Sequence, residues 1–245
     1  MVNILGSIGP GRRIVVPMFT HYRYIKKLTA LREAGKTGEE RQMIADLETF
    51  WINNIEKCGI KFEIEGRENL PDRSFVIVAN HQSYFDIFAI LSLMKGRQVG
   101  FIAKEELARI STLKKWMLAM RCILIERGNA RDALRAISTG AEYVKEGFNM
   151  VIFPEGTRSK GGPIADFKPG ALKLAEKAKA PIVPVVISGT YKMIEETNKI
   201  EPHTTAYLHV LPPVETADME RRELAELSPK IEALIREEYE KMPRP

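Results

Sequence analysis

The chain has little cysteine. Cys58 and Cys122 are its only two in 245 residues, and neither belongs to a C-x-x-C or other metal-ligand spacing. Reduced thiols are expected, with no disulfide scaffold and no metal site. No stretch approaches the roughly 18 apolar residues that a spanning helix needs. The first residues lack the basic-then-apolar order of a secretory leader, so export is not expected. There is no G-x-x-x-x-G-K-[ST] and no G-x-G-x-x-G, which disfavours nucleotide folds. No G-x-S-x-G elbow surrounds Ser83, which argues against a serine hydrolase. No aromatic-basic platform accompanies the positive charge, so a nucleic-acid partner is not expected either. Glutamine occurs only at Gln42, Gln82 and Gln98, against 37 Lys and Arg and 32 Asp and Glu. That balance hints at a thermophilic source.

What is present suits a globular protein with an acidic partner. The chain is 44% hydrophobic, with a net charge of +5 and a pI near 9.1, which favours anionic lipid or phosphorylated metabolites. Arg12, Arg13, Arg23, Lys26, Lys27 and Arg32 all precede the first acidic residue, Glu33; from Glu215 on, acids outnumber bases. Gly6, Gly9, Pro10 and Gly11 argue against a long helix at the start. A helix is predicted from Ile14 to Arg32, with Pro17 in its first turn. Thr37-Gly38-Glu39-Glu40 reads as a capping box for a second helix ending at Gly59. Residues 1–59 are thus expected to form a basic helical hairpin.

From residue 60 to 245 the pattern is α/β. Phe62 and Ile64 alternate with charges. Apolar strands are predicted at 75–79, 99–103, 123–125, 150–153 and 182–187, with an alternating one at 205–211. Helices are predicted at 105–119, 131–145, 169–179 and 218–241. The alternation implies a largely parallel, mixed sheet flanked by helices. In such sheets ligands bind past the carboxyl ends of the strands. Asn80, His81, Lys104, Arg127 and Glu155 to Arg158 all fall there.

His81 is a candidate proton acceptor near neutral pH. Asp86 would hold its imidazole in one tautomer. On a continuous helix the two would lie roughly 140° apart, so the chain must bend between them. The plain alternative is a structural histidine capped by a nearby carboxylate. In the second segment, Phe153–Ser159, Gly156 permits a tight turn and Thr157 offers a hydroxyl. Arg158 supplies a planar fork suited to phosphate, and Arg127 and Lys104 would join it from neighbouring strand ends. Here the plain alternative is an ion pair between Glu155 and Arg158 across the turn.

At these residues the chain resembles the 1-acyl-glycerol-3-phosphate acyltransferases among the glycerolipid acyltransferases. Asn80-His81-x4-Asp86 is similar to their first block and Phe153–Ser159 to their third. Ile182-Val183-Pro184-Val185 is similar to their fourth. Their second block, G-x-x-F-I-x-R, corresponds to Arg121–Arg127, with Arg121 in place of glycine and Leu124 in place of the aromatic. Lys104-Glu105 also resembles a family feature. The resemblance covers about residues 75–187. It implies transfer of a fatty acyl group from an acyl carrier protein or coenzyme A thioester to the 2-hydroxyl of lysophosphatidic acid, with no further cofactor. It implies His81, Asp86 and Lys104 in catalysis, and Arg127, Glu155, Gly156, Thr157 and Arg158 at the acceptor phosphate.

With no spanning helix, the hairpin is expected to lie on the anionic cytoplasmic face of the cell membrane. Arg12, Arg13, Phe19, Tyr22, Arg23, Tyr24, Lys26 and Lys27 would meet that surface; an ordinary amphipathic cap on the core is the alternative. Arg109, Lys114, Lys115 and Arg121 form a basic stretch suited to an acidic carrier protein or to coenzyme A phosphates. Competing readings are an acyltransferase for glycerol-3-phosphate or another lysophospholipid, and a non-catalytic phospholipid-binding protein, which would need the clamp but not His81.

Overall fold

The structure, a computed structural model, describes residues 8–126 and 128–244. Its centre is a seven-stranded sheet in the order β1-β7-β6-β2-β5-β3-β4. The strands are β1 (Lys61–Glu65), β2 (Val76–Ala79), β3 (Val99–Lys104), β4 (Ile123–Ile125), β5 (Asn149–Ile152), β6 (Ile182–Ser188) and β7 (Thr205–Val210). Every neighbouring pair is parallel except β6 and β7. The sheet is therefore mixed and mostly parallel, as the βα alternation implies.

Burial follows the two-residue period of a strand. Along β2, Ile77 and Ala79 enter one core with Ile52 and Ile55 from α3 (Thr37–Glu56) and Ala89 and Ile90 from α4 (Asp86–Leu93). Val76 and Val78 enter a second core on the opposite face. That face is covered by α6 (Ala130–Lys145), α7 (Lys173–Ala178) and α8 (Arg221–Lys241). β1, at the sheet edge, exposes Lys61, Glu63 and Glu65, charges that discourage a further strand from pairing.

The N-terminal region departs from the predicted hairpin. The helix expected over 14–32 is two helices, α1 (Ile8–Thr20) and α2 (Arg23–Glu33), separated at His21 and Tyr22. Pro17 lies inside α1, not in its first turn, so the bond its N–H would give to the carbonyl of Arg13 is absent. α1 also includes Gly9, Pro10 and Gly11; Pro10 sits in the first turn, where a missing N–H removes no helical bond. Residues 1–7 lie outside the described residues.

The capping box expected at Thr37 does not form. Lys36 takes the N-cap position with no side-chain cap bond. Glu40 is instead fully buried, and its carboxylate accepts from Arg32 Nε at 2.8 Å and from Arg121 Nε and Nη2 at 2.9 and 2.6 Å. Engaged by two arginines, that carboxylate is not available to a capping bond. Arg32 also donates to the carbonyl of Ala119, at the end of α5 (Ser111–Ala119). This network ties α2 and α3 to α5 and the chain entering β4. Among the described residues no helix is long and apolar enough to cross a membrane.

Candidate active site

β2 ends at Ala79 and α4 begins at Asp86; the chain bends between them, as the spacing of His81 and Asp86 requires. His81 Nδ1 lies 2.6 Å from Asp86 Oδ2. That oxygen also accepts from the backbone N–H groups of Gln82 at 2.7 Å and Ser83 at 2.9 Å. The other oxygen accepts from the Thr190 hydroxyl. Asp86 is fully buried, and at the first turn of α4 it faces the positive helix end. The carboxylate fixes the histidine tautomer: Nδ1 carries the proton, and Nε2 has no hydrogen bond among the described residues. One ring face stacks on Phe153, with centroids 4.2 Å apart, and the side chain remains 18% exposed.

The rest of the loop is anchored to β6 and α8. Asn80 Nδ2 donates to the Ile187 carbonyl at 2.9 Å, and its Oδ1 accepts from the Ile187 N–H at 2.7 Å. Gln82 Nε2 donates to the Tyr239 hydroxyl at 2.7 Å, and its Oε1 accepts from the Gly189 N–H at 2.9 Å. A parallel strand leaves its carboxyl end without a hairpin partner, and side-chain amides satisfy those backbone groups here.

The loop after β5 lies alongside. The Ser159 and Lys160 N–H groups donate to the His81 and Gln82 carbonyls at 2.8 and 3.1 Å. Glu155 is buried between the two loops. Its oxygens accept from the N–H groups of His81 at 2.6 Å and Ala165 at 2.8 Å. Among the described residues it pairs with no arginine, and Arg158 pairs with Glu195 instead, so the ion pair across the turn does not form. With both oxygens engaged inward, Glu155 acts as a strut rather than as a group presented to a phosphate. Desolvation raises its pKa, against the opposing pull of those two N–H bonds.

Gly156 has φ +62, and a Cβ there would come within 2.8 Å of Lys168 Nζ. The left-handed backbone favours glycine; the crossing lysine is a flexible side-chain end. Thr157 is exposed. Arg158 Nη1 donates to Glu195, and the guanidinium carbon sits 3.5 Å from the centroid of the Tyr84 ring. Lys104 is half-buried at the end of β3, next to β5 in the sheet. Arg127 lies outside the described residues. His81, Asp86, Glu155, Gly156 and Arg158 are thus brought together through hydrogen-bonded neighbouring loops, and Lys104 lies on the same sheet edge.

A match to the acyltransferase family model spans residues 61–188, which takes in both loops and the strands that carry them. The chain belongs to the acyltransferase family. It is 39% identical over 136 residues to the chloroplastic 1-acyl-sn-glycerol-3-phosphate acyltransferase BAT2 of Brassica napus, covering 55% of this chain and 39% of that protein. It is 32% identical over 177 residues to human 1-acyl-sn-glycerol-3-phosphate acyltransferase alpha, covering 71% and 62%. The chain therefore spans about half the length of the curated relatives it matches. The crystal structure of the 1-acyl-sn-glycerophosphate acyltransferase PlsC from Thermotoga maritima superposes with a TM-score of 0.78 at 28% identity, covering 98% of this chain and 95% of that one.

Arg121, which stands where the resembled family pattern has glycine, adopts φ 60. That is the left-handed region where glycine is at ease. Its guanidinium is held by Glu40 and stacks near Tyr143 and Phe148. Being buried, Arg121 does not belong to an exposed basic surface; Arg109 and Lys115 remain exposed and Lys114 half-buried. Desolvation pushes the Cys122 thiol up to about 12, so it is no thiolate nucleophile at neutral pH. Sequence reasoning missed Thr190, Glu195, Gln82, Tyr239 and Lys168 at this site. Only Gln82 carried a signal, its place within the His81–Asp86 segment.

Proposed function

We propose that this chain transfers a fatty acyl group from a thioester to the 2-hydroxyl of lysophosphatidic acid, forming phosphatidic acid. The observation that carries the reading is an imidazole fixed at Nδ1 by a buried carboxylate, in a loop hydrogen-bonded to one bearing a guanidinium. In this mechanism His81 Nε2 takes the hydroxyl proton as the oxygen attacks the thioester carbonyl. The tetrahedral intermediate collapses, the C–S bond breaks, and the departing thiolate takes the proton from the imidazolium. Asp86 holds the ring and offsets its transient charge. Arg158 and Arg127 hold the acceptor phosphate, with Thr157 and the Gly156 turn beside them, and so place the hydroxyl. Lys104 or a backbone N–H stabilises the oxyanion. A thioester is already activated, so neither an acyl-enzyme nor a further cofactor is required.

The donor is an acyl carrier protein or coenzyme A thioester, docked on Arg109, Lys114 and Lys115. The lipid acceptor is met at the anionic cytoplasmic face of the cell membrane. α1 supports this placement: Val16 and Phe19 are 46% and 63% exposed, amid exposed Arg12, Arg13, Arg23, Lys26 and Lys27. Tyr22 and Tyr24 are half-buried beneath Lys115, Arg23 and Lys27. Each cation near anionic lipid contributes about 1 kcal/mol.

An assay crossing both thioester donors with lysophosphatidic acid, glycerol-3-phosphate and phosphodiester lysophospholipids tests the acceptor and donor together. Highest kcat/KM with lysophosphatidic acid is the expected result; no turnover of any pair would leave a phospholipid-binding protein. Flotation with phosphatidylglycerol vesicles should fall when Phe19 is changed to Asp, and undiminished flotation would remove α1 from the membrane surface.

A further inference from the structure

Glu195 lies outside both motifs, just past the 3₁₀ turn Thr190–Met193 that follows β6. Its side chain is 7% exposed and faces two groups. Oε1 accepts from Arg158 Nη1 and, at 3.3 Å, from the Tyr84 N–H. Tyr84 in turn carries the Arg158 guanidinium on its ring. Residues from three strand-end loops, after β2, β5 and β6, therefore close a cycle. Tyr84 sits inside the segment that pairs His81 with Asp86, so the cycle ties the guanidinium to the segment that carries the base.

Electrostatics alone does not account for a carboxylate here. Glu195 lowers the positive charge beside Arg158, which weakens attraction for any anion. What it adds is geometry. An arginine left to itself spreads its charge over many rotamers; an aromatic face below and a carboxylate at one end leave it a single placement. Nη1 is occupied, while Nε and Nη2 have no hydrogen bond among the described residues. That remaining pair of N–H groups is the edge that matches two oxygens of a phosphate monoester.

We propose that Glu195 is a positioning residue for the acceptor phosphate, fixing Arg158 on Tyr84 at a set separation from His81. The proposal rests on the reading of Arg158 as a phosphate ligand. A merely structural staple would differ in its consequences, since its loss would loosen the fold and impair both substrates alike.

Steady-state kinetics on the full chain tests this. Glu195→Ala should raise the KM for lysophosphatidic acid about tenfold while the KM for the thioester donor stays within about twofold and kcat falls less than about threefold. Glu195→Gln, whose Oε1 can accept the same two N–H groups, should keep both KM values within about threefold of wild type. Tyr84→Leu, at an exposed side chain, removes the ring but not the N–H; it should raise the lysophosphatidic acid KM by a smaller factor and serves if Glu195→Ala does not fold. Arg158→Ala separates the two claims. If it leaves the lysophosphatidic acid KM unchanged, Arg158 is no phosphate ligand. If it raises that KM while Glu195→Ala and Tyr84→Leu do not, or while Glu195→Ala impairs both substrates equally or tightens the acceptor, the role given to Glu195 is overturned.

Discussion

His81 and Arg158 stand on neighbouring loops, yet the loops hold them by different means. The polar restraint on the histidine ring comes from within its own segment. Asp86, five residues on, takes its Nδ1, and the same carboxylate oxygen takes the Gln82 and Ser83 N–H groups. The arginine is held from elsewhere in the chain, by Glu195 and the ring of Tyr84. The supports differ in burial: Asp86 is inaccessible, whereas Glu195 keeps 7% exposure and Tyr84 37%, and His81 and Arg158 are themselves similarly open, at 18% and 21%. A proton acceptor needs one tautomer and one orientation, which a short closed ring of bonds supplies. The clamp proposed for the acceptor phosphate needs an exposed edge, and support from behind leaves that edge open.

The two loops should therefore fail in different kinetic terms. The largest effect belongs to the base. His81→Ala should lower kcat by about 10²–10⁴ while lysophosphatidic acid still binds, measured by equilibrium binding to the inactive variant. Retained turnover would assign the proton transfer to another group. The clamp comes next. Arg158→Ala should raise the KM for lysophosphatidic acid about tenfold to a hundredfold, because a charge-assisted bidentate contact is lost from ground state and transition state together. A fall in kcat with unchanged KM would erase the distinction between the loops.

Thr190 sharpens the comparison, for among the described residues it is the one side chain outside the first segment that hydrogen-bonds Asp86. Its hydroxyl donates to the oxygen that His81 does not use, and it is fully buried. Thr190→Val keeps the shape and removes the donor, leaving a buried carboxylate oxygen unsatisfied. We expect kcat to fall about tenfold with the KM little changed, and Thr190→Ser to restore it. A KM effect instead would mean that Thr190 serves the clamp.

This division also explains what could be read from the chain alone. The sheet was legible because apolar strands alternate with amphipathic helices, and tertiary burial agrees with that local pattern. The His81–Asp86 pair was legible because both partners lie within one bend. Arg158 was visible as a residue, but its partner Glu195 lies 37 positions away, and nothing local marks which glutamate will meet it. Glu40 misled for the same reason. Its spacing from Thr37 suits a cap, but Arg121, 81 positions on, engages that carboxylate in a buried bidentate contact instead. Pro17 marked a helix start, yet packing carries α1 through it.

Glu155 belongs to neither loop alone, and its behaviour with pH gives the smallest and most specific test. It accepts the His81 N–H with one oxygen and the Ala165 N–H with the other. A glutamine accepts with only one of its two terminal atoms, so Glu155→Gln should cost about 1–3 kcal/mol in unfolding free energy. Desolvation raises the folded-state pKa of Glu155 above its ordinary value. Its contribution to stability is therefore complete below the ordinary carboxylate range and is lost as pH rises through the raised value. Glutamine does not titrate there. The gap between wild type and Glu155→Gln should accordingly be widest in denaturant unfolding near pH 4 and should narrow toward pH 8. A gap that is constant or grows with pH would mean that the two N–H bonds, or cations around the loops, outweigh desolvation and hold the Glu155 carboxylate ionised. A narrowing gap keeps it as the buried strut on which both loops depend.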